Sequence, residues 1–297
     1  MNYLNIIIFS VWASLFNFLN APQTSIMTAN HQDILTAPMP MCHTAGNPDP
    51  MAVFASDPAF WALHPSPLPL DYAEMGNMIK FKVADGADAN AYIVKAKKKT
   101  NKWLFVYQEW WGLNEYIKRQ SDTFYKDLKG EVNVIAIDMY DGQSTTDPQE
   151  AMKLIQGVKE ERLVNIVKGA VKYAGKKSKI ANVGWCFGGG WSLRSAIIGG
   201  KHSIGCVMYY GMPVKDVEQL KTLNCNVLGL FATEERITKQ VIEEFATNMK
   251  TAGKGLDYKI FNGVHGFANP SNPKYDETLS KEAYGMAIKY LAMSYKL

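Results

Sequence analysis

Cysteine is scarce in this 297-residue chain: there are four, Cys42, Cys186, Cys206 and Cys225, and no two of them are close in sequence. That excludes a disulfide-stapled fold and the paired-cysteine ligand sets of zinc modules. Cys42-His43 is an adjacent pair of ligating residues, but no second such pair completes it, so no metal is expected. Arginine is limited to Arg119, Arg162, Arg194 and Arg236, and no charged residue precedes Asp33. Also missing is a run of the roughly 20 apolar residues that a membrane-spanning helix needs. Residues 4–19 come nearest, and Asn5, Ser10, Ser14 and Asn17 interrupt them. A short apolar core of this kind reads as a signal peptide, here without the usual basic residues ahead of it. Residues 1–21 are therefore expected to direct export to a periplasmic or extracellular location, with cleavage within 20–29 and no stable membrane span afterwards. A start at Met27 would instead leave the protein cytoplasmic. The net charge of +4 is spread over lysine-rich segments, of which residues 95–102 are the densest, and no aromatic residues interleave them. Nucleic acid is therefore not an expected partner.

What the chain does have is a hydrophobic content of 47%, enough for one large α/β domain with extensions. Residues 22–77 are rich in Pro, Met, Ala, Asn and Asp, including Pro38-Met39-Pro40 and His64-Pro65-Ser66-Pro67, and read as a leader. Phe54, Phe60, Trp61 and Leu63 within it are expected to form a short helix packed on the main body. No motif in the leader points to a function. From residue 78 to 297 strand-like and helix-like patterns alternate. A hairpin of strands at 78–83 and 91–95 is followed by strands at 103–107, 132–137, 180–185, 206–210, 227–232 and 256–261. Helices are expected at 114–128, 147–173, 187–198, 239–251 and 275–295. Such alternation implies crossover connections and a mostly parallel sheet covered on both faces, with ligands at the carboxyl ends of the strands.

The stretch Gly184-Trp185-Cys186-Phe187-Gly188 stands at one of those strand ends. Glycines two before and two after a nucleophile are the signature of a strained strand-to-helix turn, and the following helix aims its N–H groups and positive dipole at the thiol. The bland alternative is a buried cysteine beside a tight turn. Its neighbours favour chemistry, because Glu109, Glu234, Glu235 and His265 each follow a predicted strand and so converge on the same edge of the sheet. The order nucleophile Cys186, acid Glu235 or Glu234, base His265 is that of the α/β-hydrolase triad. His64 and His202 lack that placement. His202, at the exit of the helix after the elbow, reads as structural.

Together the stretches Gln108-Glu109-Trp110-Trp111-Gly112-Leu113-Asn114, Asp138-Met139-Tyr140-Asp141-Gly142, Gly184-Trp185-Cys186-Phe187-Gly188-Gly189 and His265-Gly266-Phe267-Ala268 resemble the dienelactone hydrolase family. The resemblance implies a single α/β-hydrolase domain over residues 78–297 that hydrolyses a small ester or lactone without metal or organic cofactor. It places the nucleophile on Cys186, the base on His265, the acid on Glu235 where the family has aspartate, and the group that assists thiol activation on Glu109. The oxyanion hole falls on the backbone N–H groups of Phe187 and Trp110, and Trp111 on the pocket wall. Where family members hold a substrate carboxylate with arginine after the histidine motif, this chain has Asn269, so bidentate carboxylate recognition is lost there. Arg162 is a possible substitute from the long helical region. The altered acid and missing arginine leave open an exported, non-hydrolytic small-molecule-binding protein on the same fold, or a redox-sensing role for Cys186. The sequence leaves the oligomeric state undetermined.

Overall fold

The computed structural model describes residues 51–233 and 236–297. The expected signal segment, the first part of the leader, the Cys42-His43 pair and both Glu234 and Glu235 lie outside the described residues. Within them one eight-stranded sheet runs in the order β1-β2-β4-β3-β5-β6-β7-β8. β1 (Asn77–Phe81) and β2 (Ala89–Val94) form the antiparallel hairpin, and β2 pairs antiparallel with β4 (Asn133–Ile137). All further pairings, through β3 (Lys102–Tyr107), β5 (Lys179–Trp185), β6 (Ser203–Tyr209), β7 (Val227–Ala232) and β8 (Leu256–Phe261), are parallel.

The burial of each strand follows from its composition. β4 (NVIAI) and β7 (VLGLFA) are buried at every position, as strands covered on both faces must be. The edge strands β1 and β8 are mostly exposed or half-buried and carry lysines, Lys80 and Lys259, which discourage pairing with another chain.

Helices cover the sheet: α1 (Pro58–Leu63), α2 (Glu115–Asp127), α3 (Pro148–Gly157), α4 (Glu160–Ala174), α5 (Phe187–Gly199), α6 (Val217–Lys221), α7 (Lys239–Thr251) and α8 (Glu277–Tyr295). Polar caps start most of them. Asn114 accepts from the Ile117 N–H at 3.2 Å, Asp147 from Gln149 and Glu150, and Asp276 from Leu279 at 2.9 Å.

The single helical region expected over 147–173 is two helices. Val158 and Lys159 are extended and separate α3 from α4, because Gly157 and β-branched Val158 are weak helix formers. α6 is a further element that the apolar periodicity did not indicate. The short leader helix is present as α1. Among the described residues no helix is long and apolar enough to cross a membrane.

The chain passes from β3 outward to β4 and then returns to β5 on the other side of β3. The ends of β3 and β5 therefore flank a topological switch point, where open α/β sheets leave a crevice.

Candidate active site

At the end of β5 the chain reverses into α5 through Cys186, which has φ 56° and ψ −117°. A positive φ is uncommon for a residue with a side chain and marks a turn held by its surroundings. The flanking glycines are what allow it. A Cβ on Gly184 would collide with the backbone of Gly188, and one on Gly188 with the carbonyls of Tyr107 and Gln108. β3, β5 and α5 thus touch backbone to backbone at the elbow. Cys186 occupies the N-cap position of α5, and the Phe187 N–H points to its sulfur.

Three further strand ends deliver groups around that sulfur. The loop after β3 brings Glu109 and Trp110, the residue after β6 is Tyr210, and the loop after β8 carries His265. His265 hydrogen-bonds with the Cys186 thiol. Glu109 is buried. Its carboxylate accepts from the Asn269 side-chain amide and from the Tyr210 hydroxyl, yet burial still pushes its pKa up to about 7. Burial likewise raises the Cys186 thiol, an effect opposed by His265 and by the Phe187 N–H. Among the described residues no carbonyl takes the Trp110 N–H. Cys186, His265 and Trp110 have 0%, 1% and 0% of their surface exposed, so solvent does not reach the thiol in this arrangement.

The cover over the thiol is α1. His64, the residue that ends this helix, places Nε2 3.6 Å from the Cys186 Sγ. Its Nδ1 lies 2.8 Å from the Phe60 carbonyl, which can only accept, so Nδ1 carries the proton and Nε2 presents its lone pair to the sulfur. Burial, together with the neighbouring His265, holds the His64 imidazole well below its usual pKa and therefore neutral at pH 7. The ring packs 4.8 Å from both Trp110 and His265, and Phe60 meets Trp110 edge-on at 5.3 Å.

Hydrogen bonds and an ion pair fix α1 in place. Asp57 caps it and pairs with Arg236, the Asn272 amide donates to the Leu63 carbonyl at 3.0 Å, and Lys274 donates to that of Ala62 at 3.2 Å. The expectation that His64 lacks a place among the reactive groups is therefore corrected. The expectation rested on strand ends, and His64 arrives from a helix whose position is set by long-range aromatic packing.

The other expected positions fall as follows. Asn269 bridges Glu109 and Ser271, its Oδ1 accepting from the Ser271 N–H at 2.8 Å and the Ser271 hydroxyl at 2.7 Å. Glu109 and Asn269 also line a small open cleft with Tyr116, Gln120, Trp185 and Pro270. Trp111 faces the interior, edge-on to Trp110 at 4.9 Å, and is not among the residues lining that cleft.

Arg162 does not substitute for a pocket arginine. It is committed to Asp85 and Asp141 and to the carbonyls of Ala87 and Asp88, bracing the β1-β2 turn. His202 binds Ser178 at the foot of β5, away from the elbow. Tyr210 was missed, although it too directly follows a strand, and that position was the available signal.

The chain can be compared with known proteins on this basis. The model of the dienelactone hydrolase family matches residues 89–294. A relative in Aquifex aeolicus, provisionally named a carboxymethylenebutenolidase, is 25% identical over 233 residues, covering 73% of this chain and 97% of that protein. Among solved structures, a dienelactone hydrolase-like promiscuous phosphotriesterase from metagenomic libraries superposes with a TM-score of 0.62 at 18% identity, over 73% of this chain and 98% of that one. A dienelactone hydrolase from Anabaena variabilis gives a TM-score of 0.53 at 15% identity, over 75% and 99%. At these identities the structures speak for the shared α/β fold.

Proposed function

The chain belongs to the dienelactone hydrolase family, and from that premise we propose that it hydrolyses a small ester or lactone through Cys186. The observation that carries the reading is the elbow, where a cysteine held at positive φ meets an imidazole from the last strand loop and a backbone N–H at the start of α5. The Cys186 thiol passes its proton to His265, directly or by way of Glu109, and the thiolate attacks the substrate carbonyl. Negative charge then develops on the carbonyl oxygen beside the Phe187 and Trp110 N–H groups, which need no reorganisation to receive it. His265 returns the proton to the leaving alkoxide, which in a lactone stays tethered as the new hydroxyl. Water, deprotonated by the same imidazole, releases the acyl group and regenerates the thiol. Glu235, or Glu234 in its stead, orients His265. The support is its position after β7 and the order nucleophile, acid, base along the chain.

With Asn269 engaged by Glu109 and Ser271, nothing at that position supplies a cation for a substrate carboxylate, and the favoured substrate is a neutral ester or lactone. The test is a panel of small activated esters and lactones with the full chain, Cys186→Ala and His265→Ala. Loss of turnover in both variants supports the reading, and wild-type rates in both exclude it. The apolar run within residues 4–19 supports export after removal of residues 1–21. Mass spectrometry of the mature amino terminus checks it, and an intact terminus at Met1 in the culture medium contradicts cleavage.

A further inference from the structure

We propose that His64, Cys186 and His265 form a binding site for a soft divalent cation such as Zn²⁺, completed only while α1 is docked on the elbow. The three side chains are fully or almost fully buried, and their ligand atoms all lie within 4.8 Å of one another. One thiolate and two imidazoles are the donor set that Zn²⁺ favours over harder cations. The geometry is close to what such a site requires. Zn–S and Zn–N bonds at tetrahedral angles put sulfur and nitrogen about 3.5 Å apart. The His64 Nε2 to Cys186 Sγ distance is 3.6 Å. His64 is also oriented as a ligand would be. Its Nδ1–H is held by the Phe60 carbonyl, the outer partner that fixes tautomer and ring direction in metal-binding histidines. Contraction of the His265 ring toward the other two donors, by side-chain rotation, completes three ligands. Water entering with the cation fills the fourth position.

Binding is a simple exchange. The Cys186 S–H proton is released to bulk solvent as the sulfur–metal bond forms, His64 Nε2 already carries its lone pair, and His265 binds through an unprotonated ring nitrogen with its one N–H on the other. The consequence reaches beyond the site. His64 lies outside the span matched by the family, residues 89–294, whereas Cys186 and His265 lie inside it. A cation held by all three would clamp α1 over the thiol and block any substrate. The site is thus an inhibitory lock, and it does not depend on the ester reading above, because it needs the donors and not the chemistry.

The experiment is a Co²⁺ titration of the full chain, reduced and freed of metal, followed by optical absorption and then by competition with Zn²⁺. A single site with a thiolate-to-cobalt charge-transfer band and the visible bands of four-coordinate cobalt is expected. Cys186→Ser should remove the charge-transfer band. His64→Gln should weaken binding by more than about 100-fold, beyond the usual effect of losing an outer-shell partner. His202→Gln should leave it unchanged. Absence of the band in the wild type, or equal affinity in His64→Gln, overturns the proposal. Should His64→Gln not fold, X-ray absorption on the Zn²⁺-loaded wild type decides: one sulfur and two imidazole nitrogens support the site, and fewer of either contradict it. Cys186-dependent ester turnover in a chain that gives no cobalt band would sink this inference alone. A cobalt band in a chain without turnover would sink only the hydrolase reading.

Discussion

Gly188 has no space for one methyl group, because the carbonyls of Tyr107 and Gln108 occupy the position a Cβ would take. Backbone cannot yield as a side-chain tip can, so Gly188→Ala is expected to cost about 3 kcal/mol or more, at or beyond the upper end of ordinary overpacking. A urea-denaturation midpoint that does not move would contradict the packing described for the elbow. Glu109 invites a different substitution. Its carboxylate is buried and held by Asn269 and Tyr210, so Glu109→Gln keeps the shape while removing a proton acceptor beside the thiol. Turnover should fall by about 100-fold, the low end of general acid–base contributions, with the melting temperature nearly unchanged. Unaltered initial rates would remove Glu109 from the mechanism. At this scale the sequence was informative about which side chains meet at the sheet edge wherever they follow a strand, as Cys186, Glu109 and His265 do. It was silent on His64, which has neither a motif nor a strand end to mark it. The contact with Cys186 spans 122 positions and depends on Phe60 finding Trp110.

Among the elements, α1 is the one whose position cannot come from its own propensity. Six residues are too few for a helix to persist alone in water, so tertiary contacts must hold it. Burial of Phe60, which is 1% exposed, contributes roughly 2–3 kcal/mol to that docking. Phe60→Ala should therefore open α1 and accelerate alkylation of Cys186 by iodoacetamide roughly 30- to 100-fold, since each 1.4 kcal/mol is tenfold. An unchanged alkylation rate would show that α1 does not control access to the thiol.

The strands were the most legible elements. The continuous apolar runs of β4 and β7 have one physical explanation, burial on both faces. The break between α3 and α4 was hidden because the buried positions Ile155, Leu163 and Ile166 keep a helical rhythm across it. α6, only five residues long, gave too short a pattern to register.

For the molecule as a whole, one ion-pair cluster ties distant parts of the chain together. Arg162 on α4 binds Asp85 in the β1-β2 turn and Asp141 after β4, and it holds the Asp85 carboxyl below its ordinary pKa. A depressed carboxylate adds stability that is complete above its unfolded pKa, about 3.9 for Asp, and is lost as pH falls through the folded value. The melting-temperature gap between wild type and Arg162→Gln should thus persist from neutral pH to about 5 and shrink below about 4. A gap that widens on acidification would reverse the assignment.

The same fold-level logic places the site. The chain reverses its direction of travel across the sheet at β3, and the crevice that follows receives the elbow from β5 and Glu109 from β3. The central claim is that Cys186 is the nucleophile, and trapping the acyl group tests it most directly. Brief exposure to p-nitrophenyl acetate, acid quench and peptide mass spectrometry should find an acetyl adduct on Cys186, increased in His265→Gln relative to turnover. Cys186→Ala should show no adduct and a rate reduced at least about 1,000-fold. Wild-type turnover by Cys186→Ala, with no acylated Cys186 in the parent chain, would contradict the account.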